Sequence, residues 1–371
     1  VLPLVVSEIY FILLRSYSRS LQRTVVPTFI REFLLRVLQA LLILFQLWRP
    51  MPFGSFVSIY VAIFLFCTIL LFLDLKRAGH WKPGWDRIRL PRRLRRSMAV
   101  YSAFTLSGTL AGIALGNLDQ LMIGALMPDG LSHVAYYAVA FYFGSVIATP
   151  TRALNQVAMP LLADAWKRMD LTLIQELYMR SSLLQTAISG LLLLLLWLGI
   201  DEVYRFLPEA YSASADVALV IGCGYFLSSS IGLSIGIIAM SRAYRMDAWT
   251  SLMMLLISML GNLLLIERLG TIGAAFGTLL ALVAVNTYRT IFLFRRYGLM
   301  PFQRATLAVL LALAAVGVIV SLLPRTGTPL LDLVLRCGGA LVLFALVVLR
   351  FRLLPDVQLW LVRLRARVKH I

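Results

Sequence analysis

Runs of about twenty apolar residues recur along this chain, and no other feature restricts its folding so strongly. At 1.5 Å of rise per residue, about twenty residues of helix cross the roughly 30 Å hydrocarbon layer of a bilayer. The runs are near-continuous and leucine-rich, as in Leu191–Leu198, which reads LLLLLLWL. Strands of a membrane barrel would instead alternate apolar and polar residues. Hydrophobic residues make up 60% of the 371 positions and charged ones 14%, too little polar surface to cover a soluble core. The fold class expected is therefore an all-α integral membrane protein, a polytopic helical bundle, because lipid leaves the backbone no other way to satisfy its polar groups.

About eleven crossing segments are expected, at 1–14, 26–48, 54–74, 98–125, 133–158, 180–200, 214–240, 247–266, 272–294, 305–323 and 331–349. Loop charge alternates along this series. Arg15, Arg19 and Arg23 follow the first segment, and residues 75–97 hold nine Lys and Arg. Further basic turns carry Lys167 and Arg168, Arg242 and Arg245, then Arg295, Arg296 and Arg304. The tail 350–371 adds six more. The intervening loops carry at most one each, such as Arg49, Arg205, Arg268 and Arg325. Basic loops stay on the cytoplasmic side, so the C-terminus is expected there. The net charge of +18 marks that face and anionic membrane lipids as its partner, with no nucleic acid implied.

Other features are bland. Cys67, Cys223 and Cys337 lie in separate apolar runs and are expected as small buried hydrophobes. His80, His133 and His370 are scattered, so neither a metal site nor a catalytic triad is expected. Asp170–Arg180 is amphipathic and is expected to lie along the membrane surface. The apolar run that opens the chain is short, which predicts that further helices precede it.

Ionisable groups within apolar segments are costly and are functional candidates by default. Asp119, flanked by Asn117 and Gln120, reads either as a protonatable or cation-binding carboxylate or as an interhelical hydrogen-bond anchor. Arg152, Asn155 and Gln156 share one helical face by their spacing, and that face must meet a bundle interior or water. Arg152 can alternatively snorkel to the interface. Arg36 lies deep enough to line a cavity or can pair with Glu32, whereas Arg31 is expected to snorkel. Glu8 is a further partner for one of these arginines, and Asp332 with Arg336 reads as a pair. Asn262 and Asn286 are expected as packing groups, and Arg289 as a snorkelling one.

Three stretches resemble one family. GNLDQLMIGALMPDGLSHVAYYAVAFYFGSVIATP (116–150) places an acid in a helix before a short turn and a Tyr-Ala helix ending in proline. TRALNQVAMPLLADAWKR (151–168) continues it, and SRAYRMDAWTSLMMLLISMLGNLLLIERLGTIGAAFGTLLALV (241–283) joins a basic loop to a Gly-Asn helix and a G-x-x-G-A-A opening. Together they resemble the Wzx-type polysaccharide flippases of the MATE-like superfamily, over 75–297 by pattern and 298–349 by topology. The resemblance implies a two-lobe transporter with a truncated N-lobe, lacking the first three helices. Residues 1–74 would be the remnant of the N-terminal lobe, 75–97 the basic inter-lobe loop and 98–296 the C-terminal lobe. An added helix pair (297–349) and a basic tail (350–371) would follow. It further implies a lipid-linked oligosaccharide as substrate, flipped across the bacterial cytoplasmic membrane, with polysaccharide polymerase machinery as a possible neighbour. Arg152, Arg36, Asn155 and Gln156 would bind substrate, and Asp119 would couple transport to H+ or Na+, with no other cofactor. A multidrug or cation antiporter is the alternative in the same superfamily. An enzyme, such as a membrane glycosyltransferase or polymerase, fits less well, because no acid–base cluster or large external loop is present.

Overall fold

The computed structural model describes residues 2–21, 23, 25–79, 91–324 and 327–354, with the side chains at 19, 20, 104, 107–109, 111–115, 156 and 213 excepted. These residues are helical and include no strand. Eight helical spans among them are long and apolar enough to cross a membrane, which makes this a multi-pass α-helical membrane protein. The chain divides into two compact units, 1–90 and 91–371.

The first unit contains α1 (Leu2–Ser20), α2 (Val25–Phe29), a widened π turn (Ile30–Leu34), α3 (Leu35–Trp48) and α4 (Phe53–Arg77). Phe11, Ile30, Leu35, Cys67 and Leu71 form its small core. Arg31, on the widened turn, reaches Glu8 of α1 at 2.6 Å and lies over the Phe11 ring. Arg31 therefore does not snorkel as expected; Glu8 neutralises it. Of these helices only α4 is among the eight spans. α1 and the segment from α2 to α3 carry their charged pairs inside the stretches expected to cross, which lowers their apolarity.

The second unit comprises α5 (Arg92–Leu126), α6 (Gly130–Ser145), α7 (Thr149–Arg168), α8 (Leu171–Tyr204), α9 (Ala215–Ser230), α10 (Ser234–Met240), α11 (Arg245–Leu269), α12 (Thr271–Tyr297), α13 (Arg304–Ser321) and α14 (Pro329–Phe351). Short turns make successive rods antiparallel, so Arg168, Arg245, Arg295, Arg296 and Arg304 gather at one end, called the basic end below.

Asp170–Arg180 is not a separate surface helix. Asp170 caps α8 by accepting from the Leu173 amide at 3.0 Å, and α8 then runs on without interruption. Its 34 residues span about 51 Å, so its first turns project past the hydrocarbon while Ile174 and Tyr178 are buried against neighbouring helices. The segment expected at 214–240 is also not one helix. It breaks at Ile231–Leu233, where Gly232 adopts φ +69° and a Cβ would come 2.8 Å from the Ser182 backbone nitrogen. Only glycine fits that approach. The segment expected at 133–158 tightens into a 3-10 turn at Val146–Ala148, ahead of Pro150, whose missing N–H breaks the helical ladder.

α8 sits at the centre of the unit. On one side Leu183, Ala187, Leu194 and Leu198 pack against Val309 and Val316 of α13 and Phe344 of α14. On another, α6, α9, α11 and α12 close a second core around Tyr137, Ile221 and Ile266. The three cysteines are free, and Cys223 is exposed where a buried position was expected, because it lies on the open side of α9.

Candidate functional site

Two antiparallel hairpins build a fully buried polar cluster in the second unit. Asp119 to Leu126, Gly130 to Tyr137, Asn262 to Leu269 and Thr271 to Thr278 are equal steps of seven residues, about 10 Å of helix. Residues equidistant from a tight turn meet across it, so Asp119 faces Tyr137 and Asn262 faces Thr278. Packing α5 against α11 then brings the four into one layer.

Asp119 is 1% exposed and occupies the centre. Tyr137 donates its hydroxyl to Oδ2 at 2.5 Å, Thr278 donates to the same oxygen at 2.7 Å, and Asn262 Nδ2 donates to Oδ1 at 2.6 Å. Ser258 stands 3.3 Å behind Thr278 and extends the chain of hydroxyls. Three short charge-assisted bonds replace the water a carboxylate loses on burial. The carboxylate forms no ion pair among the described residues, so its formal charge is solvated by neutral donors alone.

Gly277 makes this possible. A Cβ there would fall 2.2 Å from Asn262 Oδ1, so any larger residue would displace the amide from Asp119. Asn262 Oδ1 is buried without a hydrogen-bond partner, resting against that glycine. The cluster thus gathers six oxygens from Asp119, Tyr137, Ser258, Asn262 and Thr278, the hard-ligand chemistry that suits a proton or an alkali cation. A turn of the Asn262 amide would present its carbonyl to such an ion.

The other expected site residues lie elsewhere. Arg152 follows Tyr137 by fifteen residues, about 22 Å along the same rod, and does not join Asp119. Its side chain is exposed and unpaired among the described residues. Asn155, one turn on, is half-buried with an unpartnered Oδ1, and the Gln156 side chain lies outside the description. The neighbouring Thr151 hydroxyl bonds Ser229 at 2.9 Å, at the end of α9, and lies 3.3 Å from Gln185 Oε1. Gln185 is 2% exposed and its Nε2 has no partner. Beside it, Ser182 donates to the Ser230 carbonyl at 2.6 Å and satisfies the broken helix end. A polar stripe on α8 therefore backs the region from which Arg152 projects.

Arg36 is exposed and pairs with Glu32 at 3.1 Å, one turn away. Arg289 does not snorkel. It is 4% exposed, binds Asp247 at 3.2 Å and Thr250 at 3.0 Å, and pins α12 to the basic end of α11. Asp332 and Arg336 are buried and hold the turn before α14, through the Gly327 amide at 3.3 Å and the Leu323 carbonyl at 3.0 Å.

Tyr137, Ser258, Thr278, Gln185 and the break at Gly232 were not singled out from sequence. Hydroxyls on apolar helices are too common to stand out singly, though the equal distances from two tight turns would have paired them. Compared with known proteins, the chain matches no protein-family model and no curated protein.

Proposed function

We propose that this chain is a cation-coupled membrane transporter that moves a lipid-linked, polyprenyl-pyrophosphate oligosaccharide across the bacterial cytoplasmic membrane by alternating access. The single observation that supports this is Asp119, a buried carboxylate satisfied only by neutral donors from three neighbouring helices. A purely structural anchor gains nothing from carrying a net charge into the bundle, at a cost of several kcal/mol. A carboxylate that exchanges its donors for H+ or Na+ links ion occupancy to the packing of α5 and α6 on α11 and α12, a packing that alternating access has to change.

Substrate class comes from Arg152. An unpaired arginine on a polar face is suited to an anion, and its planar fork bonds phosphate oxygens in pairs. The resemblance to Wzx-type flippases supplies the two lobes and the oligosaccharide head group, and the apolar runs and basic loops supply about eleven crossings and a cytoplasmic C-terminus. A cation or drug antiporter of the same superfamily would use the same Asp119 but has no role for Arg152.

The test is complementation of a bacterium lacking its own oligosaccharide flippase, scored by surface glycan, with the chain as it stands and with any upstream helices restored. Restored glycan that is lost with Arg152→Ala and with Asp119→Asn, at unchanged membrane insertion, supports the reading. No glycan in a host with a matching pathway, together with drug resistance that survives Arg152→Ala, would transfer the chain to the antiporters.

A further inference from the structure

α13 packs on α8 but stands away from α9 and α12, leaving two cavities of about 360 and 590 Å³ that share Phe226 and Leu310 as a common wall. Together they follow α13 from Thr306 to Val318, about 18 Å of helix. The wall residues Trp197, Leu310 and Val318 are 50%, 38% and 59% exposed, so the groove opens sideways towards the bilayer.

Its polarity is graded. The half nearer the basic end contains Asn286, Thr290 and Thr306, whereas the far half offers only apolar side chains, glycines and Cys223. The Thr306 hydroxyl accepts from the Gln303 amide and keeps its hydrogen free to donate, and Asn286, 4% exposed, has no side-chain partner among the described residues. At the mouth, Arg295 lies one turn beyond the lining residue Ile291 on the same stripe of α12, and Arg304 opens α13. Both are exposed, and neither forms an ion pair among the described residues.

We infer that this groove holds one acyl chain of an anionic phospholipid, whose phosphate is bound by Arg295 and Arg304. The gradient fixes its direction. A phosphate meets the arginines, the ester oxygens accept from the Thr306 hydroxyl and the Asn286 amide, and the hydrocarbon fills the apolar half. A single leaflet is about 15 Å deep in hydrocarbon, so a groove of about 18 Å accommodates one extended chain. Near the membrane surface each basic residue contributes about 1 kcal/mol towards an anionic headgroup, which makes a pair of arginines selective over a zwitterionic one. The lipid would fill the gap between α13 and the α9–α12 face. This inference does not depend on the transported substrate.

The test is native mass spectrometry of the purified full chain, delipidated and then offered phosphatidylglycerol, phosphatidylcholine or a polyprenyl phosphate at equal concentration. The wild type is expected to retain one phosphatidylglycerol, at least five-fold over phosphatidylcholine. Ala314→Trp fills the open side of the groove, and Arg295→Gln with Arg304→Gln removes the headgroup contacts. Each change is expected to lower retention at least five-fold without lowering the thermal midpoint. Equal retention of phosphatidylcholine, or no loss in the arginine variant, overturns the proposal. Loss in the arginine variant but not in Ala314→Trp overturns it too, because the lipid would then sit on the surface. Preferred retention of the polyprenyl phosphate would likewise overturn it and assign the groove to that chain.

Discussion

Two aspartates tie the α11–α12 hairpin together at its opposite ends, and they are neutralised in different ways. Asp247, near the basic end, faces the Arg289 guanidinium at 3.2 Å and keeps about a third of its side chain exposed. Asp119, towards the other end, is 1% exposed and meets only hydroxyls and an amide. An ion pair with access to solvent is a fastening: both partners are satisfied and neither has reason to exchange. A carboxylate enclosed among neutral donors has no fixed counter-charge among the described residues, and the proposed partner for it is a mobile cation. On the reading proposed above, the difference separates a clasp from a binding site, although both residues are acids at helix–helix contacts.

The largest effect should follow from Asp119→Ala. It strands three donors, each costing about 1–3 kcal/mol when left unpaired, so the thermal midpoint in detergent should fall markedly and transport should disappear. Asp119→Asn keeps the shape and most of the bonds. It should lose transport just as fully with a much smaller change in midpoint, and equal losses in both measurements would reduce Asp119 to a fastening. Next is Gly277→Ala. The added methyl should push the Asn262 amide off Asp119, remove one charge-assisted bond of about 1.5–3 kcal/mol, and lower apparent cation affinity measurably by titration. Arg289→Gln should cost about 1–3 kcal/mol, less than a fully buried pair, because Asp247 remains partly solvated. Asp247→Asn in the same chain should recover part of that loss, with cation affinity unaltered throughout. The smallest effect is expected for Arg36→Gln. Its pair with Glu32 is exposed, so the change should stay below about 1 kcal/mol by thermal unfolding.

How far this contrast was legible in sequence differs between its parts. The class of fold follows from the apolar runs, because lipid admits few alternatives, and Asp119 stands out as an acid in such a run. Its partners do not. Asn262 resembles any packing asparagine until the α5–α6 and α11–α12 hairpins are known to abut, which is a contact between residues 143 positions apart. The break at Gly232 was hidden because the flanking residues stay apolar on both sides, so hydropathy reads straight through it. Arg31 was half legible. Its position near a segment end suggested snorkelling, whereas Glu8, expected to pair with one of the neighbouring arginines, pairs with Arg31. Periodicity reports which residues share a face; it does not report which faces meet.

The central claim is that Asp119 binds a cation, and ligand-linked stability tests it most directly. A ligand present at 100 times its dissociation constant stabilises the folded state by about 2.7 kcal/mol. Thermal unfolding of the purified chain would be followed while Na+ replaces choline at constant ionic strength, and again across a pH series, for the wild type and Asp119→Asn. The account predicts that the wild-type midpoint responds to Na+ or to protons and that Asp119→Asn abolishes that response. Identical responses in the two proteins would contradict it.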